Sequence, residues 1–416
     1  MKKQHLPPVN LRSALDFFIE LILILILVIS PFLFGSVDIF AVTIIEIGAF
    51  LLLFLWLLKL MEKGSLEFVK LPINIPIALF LIFAIAQYFF INSFISDFSL
   101  GDVYRQKMKN ELLKVATYLI LFYIILHNFQ DRKKINRLIG VLILVGFAIS
   151  TFGIIQKLTG AKKMFWIYDA HQTPYFFASF RNRNHFANYI NLIIFLTMGF
   201  VFGRLPFLRH DIKGSDKKSI IKGLSATFQK WIWLYVCGVI VMSSSLFFSV
   251  SRGGIISFLC GVVLFLVLIF VKRLTRRGYL ILFLAFVLIF AMLVWINATE
   301  QIVQRFEWKG NLKISSIIDK NLGGRRALFD STLNLIKHYP IFGVGIGAFE
   351  FIYNKKYIPA SFKVYFYVDH AHNDFLELLS EVGVIGFAIF FMAACIYIFF
   401  ALKTLLKRHD PFVIGT

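Results

Sequence analysis

DHAHNDFLELLSEVGVIGFAIFFMAACIYIFFAL, residues 369–402, passes from a polar segment holding two histidines into an apolar run long enough to cross a bilayer. A spanning helix needs about 20 apolar residues, because backbone N–H and C=O groups cannot stay unpaired in lipid. Outward from this stretch the same apolar pattern recurs. We read about ten spans, near 14–34, 38–58, 71–95, 112–127, 138–156, 186–203, 231–250, 253–271, 279–297 and 374–402. Of the 416 residues 59% are hydrophobic, 50 are Phe, and the mean hydropathy is +0.78, which excludes a soluble globular domain. The runs are continuous rather than alternating, which excludes a membrane barrel. The expected fold class is all-α, a polytopic integral membrane helix bundle. Residues 1–297 hold the first nine spans, 298–372 a long extramembrane loop acting as a lid, and 373–416 the tenth span and tail.

Charge sets the expected orientation. The net charge of +21 is spread over short loops between spans, so it points to topology rather than to nucleic acid. One side collects 24 of the 44 Lys and Arg, the other 20, and half of the second set lies in the long loop, which the positive-inside rule discounts. Both termini are therefore expected in the cytoplasm and Asp369–Asn373 outside. The basic N-terminus leads into a run as long as a full span without a small-residue cleavage site, which reads as an uncleaved first helix. Cys237, Cys260 and Cys395 lie inside spans, far from any CxxC spacing. They read as packing residues, with no disulfide or zinc site.

Several outer residues invite chemistry. Asp38 and Glu46 are candidate partners for a basic group. Arg105, Lys107 and Lys109 read as snorkelling interfacial residues on an outer loop, 96–114. Trp166, Tyr168, Tyr175, Phe176 and Phe177 form an expected aromatic belt, which can also stack on sugar rings. FRNRNHFANY at 180–189 places Arg181 and Arg183 at a helix start, where free N–H groups favour an anion such as phosphate. SRGG at 251–254 holds Arg252 between two apolar runs. The residue reads equally as snorkelling to the interface or as a bidentate partner of a diphosphate. Residues 325–336 space their apolar side chains helically, from Arg325 to a stop at Tyr339-Pro340. GVGIG at 343–347 follows no strand and precedes no P-loop Lys, so it reads as a tight turn.

At the centre, Asn373 suits a helix N-cap and Asp374 its positive first turn. Asp374, Glu377 and Glu381 share one helical face, expected to meet a polar cavity, while Gly383 and Gly386 favour close helix packing. The histidines leave three readings open. His370 and His372 with Asp369 or Asp374 could ligate a metal, although no third distant ligand stands out. They could hydrogen-bond a lid. Or a neutral imidazole could take a proton from an acceptor hydroxyl.

His372-Asn373, nine further residues and then Gly383-x-x-Gly386 resemble the signature of the bacterial O-antigen ligase and polymerase family. FRNRNHFANY, SRGG and GGRRALF…HYPIFGVGIGAF at 323–349 are similar to the family's other stretches, in order, over about 140–400. The resemblance implies a GT-C-like, metal-independent, inverting glycosyltransferase without a cofactor. It would move a glycan from undecaprenyl diphosphate to an acceptor glycan or glycolipid at the periplasmic face of the inner membrane, as in lipopolysaccharide biosynthesis. It also implies His372 as base and Arg183, Arg252 and Arg325 as diphosphate ligands, with His370, Asn373, Asp374 and Arg181 in support. A protein O-oligosaccharyltransferase shares this chemistry. The family continues with two further spans, so a chain stopping at Thr416 reads as interrupted. A flippase for an anionic lipid-linked substrate is the rival from another class, although it predicts inverted repeats, and the sequence shows none.

Overall fold

The computed structural model describes residues 11–64, 69–94, 101–168, 176–202, 227–271, 314–358 and 367–407. Among them the chain is helical, with isolated bridges Met164–Tyr168 and Phe177–Phe180 in place of strands. The helices are α1 (Leu11–Phe32), α2 (Ile39–Lys63), α3 (Asn74–Phe94), α4 (Asp102–Asn128), α5 (Arg132–Leu158), α6 (Arg183–Phe202), α7 (Thr227–Phe248), α8 (Arg252–Val271), α9 (Ile314–His338), the short α10 (Phe349–Ile352) and α11 (Asp374–Lys407). Six of them are long and apolar enough to span a membrane, and α3, α7 and α8 contain shorter apolar helices. The protein is therefore a polytopic helical membrane protein. The span expected at 279–297 lies outside the described residues. The loop expected at 96–114 is a correction: α4 begins at Asp102, so Arg105, Lys107 and Lys109 ride on a helix.

The chain forms two compact units, with one boundary inside α4 at Tyr123/Ile124. In the first, α1 packs on α2 and α5, α5 on α6 and α7, and α6 on α7 and α8. Small residues set these contacts. A Cβ on Gly146 would meet Ile193 at 2.6 Å, and one on Gly261 would meet the Phe195 ring at 2.4 Å. Phe177, Phe180, Phe186, Ile190, Leu246 and Phe258 fill the core between α5, α6, α7 and α8. Phe177 thus leaves the expected aromatic belt for the core, because its ring packs 4.6 Å from that of Phe186. Trp166 and Tyr168 stay exposed, and Tyr175 lies outside the described residues. The three cysteines are exposed on their helices, so they do not serve as core packing.

In the second unit α9 buries Leu328, Thr332 and Leu335, three turns of one stripe, and ends at His338 before Tyr339-Pro340 as expected. Leu328 and Leu335 join Tyr104 and Met108 of α4, Val344, Ile346, Phe349, Tyr353 and Val382 in one core. A π turn, Tyr353–Tyr357, follows α10.

Candidate active site

The segment 367–373 reaches α11 as irregular chain, yet most of its backbone is pinned. Asn354 donates from Nδ2 to the Val368 carbonyl (2.5 Å) and accepts the Val368 N–H at Oδ1 (2.9 Å), pairing both groups of one residue. Ala371 is fully buried. Its N–H donates to Glu377 Oε2 at 2.8 Å, while Glu377 Oε1 meets His370 Nδ1 at 2.8 Å. Asn373 Oδ1 accepts from the N–H groups of Phe375 and Leu376 at 3.1 and 3.2 Å, the N-cap expected from sequence. Between the anchored Ala371 and the capping Asn373, His372 takes φ +53° with an exposed ring. That left-handed conformation costs a non-glycine residue about 1–2 kcal/mol. It persists because the residues on either side are held.

The two histidines are inequivalent. Hydrogen bonding to Glu377 pushes the His370 pKa up to about 9, against a lowering by partial desolvation of a ring that stays largely solvent-exposed, and the charges of Glu377, Asp369 and Glu381 add to the rise. At neutral pH His370 is an imidazolium, unable to accept a proton. Its folded-state pKa lies above the unfolded value, so this pairing stabilises fully below about pH 6.5 and is lost as pH rises through about 9. The melting-temperature difference between wild type and His370→Gln is therefore expected to be largest below about pH 6, to shrink as pH rises through neutrality and to vanish by about pH 10.

Further along, α11 breaks at Gly383 (φ 62°, ψ −172°), a region open essentially to glycine alone. The GVGIG segment fills the break. Val344 and Gly345 donate to the Ser380 and Glu381 carbonyls at 2.9 and 2.8 Å, and Val384 donates to the Pro340 carbonyl at 2.8 Å. Gln87 of α3 closes the junction. Its Nε2 donates to the carbonyls of Phe342 (2.6 Å) and Glu381 (2.7 Å), and its Oε1 accepts the Ile346 N–H (3.1 Å). Tyr104 donates its hydroxyl to the Val344 carbonyl. Gly386 packs as expected, since a Cβ there would meet the Phe83 ring at 2.7 Å, but Gly383 is a helix break. The shared acidic face is also divided. Asp374 is exposed, Glu377 is spent on 370–371, and Glu381 is buried with Oε1 accepting the Phe349 N–H at 3.2 Å. Glu381 therefore caps α10 instead of lining a polar cavity with the other two.

In the first unit, α6 begins at Arg183 and α8 at Arg252, and the two starts are tied together. Ser251 Oγ donates to Asn184 Oδ1 at 2.7 Å and accepts the Gly254 N–H at 3.3 Å, and Asn191 Nδ2 donates to the Gly254 carbonyl at 2.9 Å. A Cβ on Gly254 would sit 2.4 Å from that of Ala187, so glycine permits the approach. Val250, at φ +54°, makes the sharp re-entry into α8, and Gly253 faces open space. Two helix N-termini with an arginine on each first residue can hold a polyanion through dipole ends and guanidinium forks, while Ser251 Oγ and Asn182 Oδ1 take the Gly254 and Asn184 N–H groups. Arg252 is exposed and Arg183 half-buried. Arg181 is committed elsewhere. It pairs with Asp38 at 2.9 Å, meets the Tyr168 hydroxyl at 3.1 Å and lies over the Phe34 ring, which makes Asp38 the structural partner expected of it. Arg325 falls on α9, where its side chain lies outside the described residues.

Sequence reasoning missed three residues of this architecture. Gln87 lies in an apolar run, Asn354 in a loop without a motif, and Glu377 was read with the wrong neighbours. A lone polar residue inside a span was the available signal for Gln87. Among the described residues, no group of three or more His, Cys, Asp or Glu is placed to hold a metal ion.

One family model, described as O-Antigen ligase, matches residues 237–391. The matched stretch takes in Arg252, Arg325, His370, His372, Gly383 and Gly386 and stops short of Arg181 and Arg183. No curated protein and no solved structure matches the chain.

Proposed function

We propose that this multi-pass membrane protein, which resembles the O-antigen ligase family over residues 237–391, is an enzyme of ligase/polymerase type, and its reaction follows from that premise. It moves a glycan from undecaprenyl diphosphate to an acceptor hydroxyl at the periplasmic face of the inner membrane, as a ligase or a surface-polysaccharide polymerase. His372 takes the acceptor's proton. The freed oxygen attacks the anomeric carbon from the side opposite the diphosphate, the bond to the diphosphate breaks, and that group leaves with the electron pair. Arg183, Arg252 and Arg325 hold the diphosphate. Charge-assisted hydrogen bonds of about 1.5–3 kcal/mol each let two or three arginines do the work of a metal ion on the leaving group.

The observation that carries this reading is the setting of His372. It is exposed, at φ +53°, directly before the capped N-terminus of α11, and it is followed by the His-Asn-x9-Gly-x-x-Gly spacing. The test is reconstitution of the purified protein in liposomes with an undecaprenyl-diphosphate-linked glycan and candidate acceptors, in the presence of EDTA. Transfer is expected. Transfer abolished by EDTA and restored by a divalent cation would overturn the metal-free mechanism. Movement of the lipid across the bilayer without any transfer would identify a flippase.

Arg252→Lys is expected to raise the donor's KM or lower kcat at least about tenfold despite the conserved charge, because a lysine cannot bind phosphate bidentately. Steady-state kinetics with wild type alongside decide this. Equal kinetics would return Arg252 to the role of an interfacial anchor.

A further inference from the structure

We propose that Glu377 is the positioning residue for His372, its carboxylate bridging the His370 ring and the Ala371 amide, so that His370 stands beside the base as a fixed cation. The proposal rests on the reading that His372 takes the acceptor's proton.

Helix geometry explains why a residue at this place can do it. Side chains on a helix lean toward its N-terminus, and Glu377 stands four residues after the capping Asn373. Its carboxylate therefore reaches back past the cap to the loop. Oε2 takes the Ala371 N–H and Oε1 takes His370 Nδ1, both at 2.8 Å. One side chain thereby fixes the backbone on the N-terminal side of His372, while Asn373 fixes the other side. The left-handed φ of His372 lies between these anchors. The charged groups facing His370 are Asp369 of its own segment and Glu377 and Glu381 of α11, all acids. No described base faces it, so the ring holds its proton and the base role falls to its neighbour.

Glutamine and alanine at 377 separate position from charge. In Glu377→Gln the amide oxygen still accepts from Ala371 and the amide nitrogen donates to a neutral His370, so the bridge survives without its charge. In Glu377→Ala both are lost. Misplacement of a reacting group by about 1 Å costs on the order of 10²-fold. Glu377→Ala is accordingly expected to lower kcat about 100-fold with little change in KM. Glu377→Gln should keep more of kcat and move the alkaline limb of the pH profile down by roughly two units, as His370 titrates nearer its ordinary range.

A second readout needs no turnover. Diethylpyrocarbonate modifies neutral imidazole, and the His370 side chain is 62% exposed, so protection there reports protonation rather than burial. Mass spectrometry of the full-length protein at pH 7 is expected to find His372 modified and His370 spared. In Glu377→Gln, His370 modification should rise at least about tenfold. Equal modification of both histidines in wild type would overturn the proposal, as would unchanged kcat and pH profile in Glu377→Ala. If wild type transfers no glycan, the functional reading fails, and the footprint still decides the bridge.

Discussion

Replacing His372 is expected to lower glycan transfer about 10²–10⁴-fold, the range a positioned general base contributes. The sharper variant is His372→Asn. The native residue holds φ +53°, a region that asparagine tolerates better than alanine does, so the turn survives without an imidazole. His372→Ala loses the tolerance of positive φ that His and Asn share and would mix loss of the base with loosening of the loop. Both variants are expected to keep donor affinity, because the arginines assigned to the diphosphate sit on α6, α8 and α9. The measurement is initial-rate transfer at saturating donor, with donor binding followed separately. Residual activity of His372→Asn within about tenfold of wild type would remove His372 from the reaction. Reading His370 as the base instead would then fail too, since its proton is held by Glu377 at neutral pH.

Gly383→Val and Gly343→Val are each expected to abolish folding in the membrane or to lower stability by at least about 2 kcal/mol. Two costs add here. Gly383 occupies φ 62° with ψ −172°, where a β-branched residue meets backbone strain of about 1–3 kcal/mol. A Cβ on it would also lie 2.3 Å from the Ile341 carbonyl oxygen, and one on Gly343 would lie 2.3 Å from that of Glu381. These obstacles are backbone atoms, held by the Val344, Gly345 and Val384 hydrogen bonds and by Gln87, so they cannot swing aside. Overpacking of this kind adds about 1–3 kcal/mol. Thermal unfolding in detergent, followed by fluorescence-detected size exclusion, measures the loss. Gly64→Ala is the natural control, since it has positive φ but no atom within 4 Å of its Cβ position, and only conformational strain should appear. A wild-type melting temperature for Gly383→Val would contradict the interlocked glycines.

These two predictions concern one helix, yet they differ in what the sequence alone supports. His372 is visible in sequence because His372-Asn373, nine residues and Gly383-x-x-Gly386 resemble a family signature, while the capping Asn and acidic first turn only mark the helix start beside it. The role of Gly383 is hidden. From sequence, Gly383-x-x-Gly386 reads as a small-residue face for helix packing, which holds for Gly386 against Phe83. Gly383 instead interrupts the helix so that 340–345 can enter, a pairing between segments some forty residues apart that no local pattern encodes. The same distance hides Gln87, whose amide serves carbonyls more than 250 residues away.

The arginines follow the same division. Arg183 and Arg252 each stand at a recognisable helix start, so the sequence places both at N-termini. That the two starts are tied through Asn184 and Ser251, with Gly254 against Ala187, follows only from the packing of α6 on α8. Arg181 looked equivalent to Arg183 in FRNRNH. Tertiary structure shows the setting of Arg181, because Asp38 and the Tyr168 hydroxyl reach its guanidinium and give it a structural role.

By itself the sequence determined that this is a helical membrane protein, where most of its spans lie, and which segments carry polar chemistry. Those properties follow from hydrophobic run length and from helix-end chemistry, which act within about 20 residues. Only the tertiary structure decided which histidine keeps its proton, which acid pairs with Arg181, and why two glycine-rich segments must be glycine. Each of those outcomes depends on a partner distant in the chain or on a side chain reaching back across a helix end, and neither is encoded in composition or period.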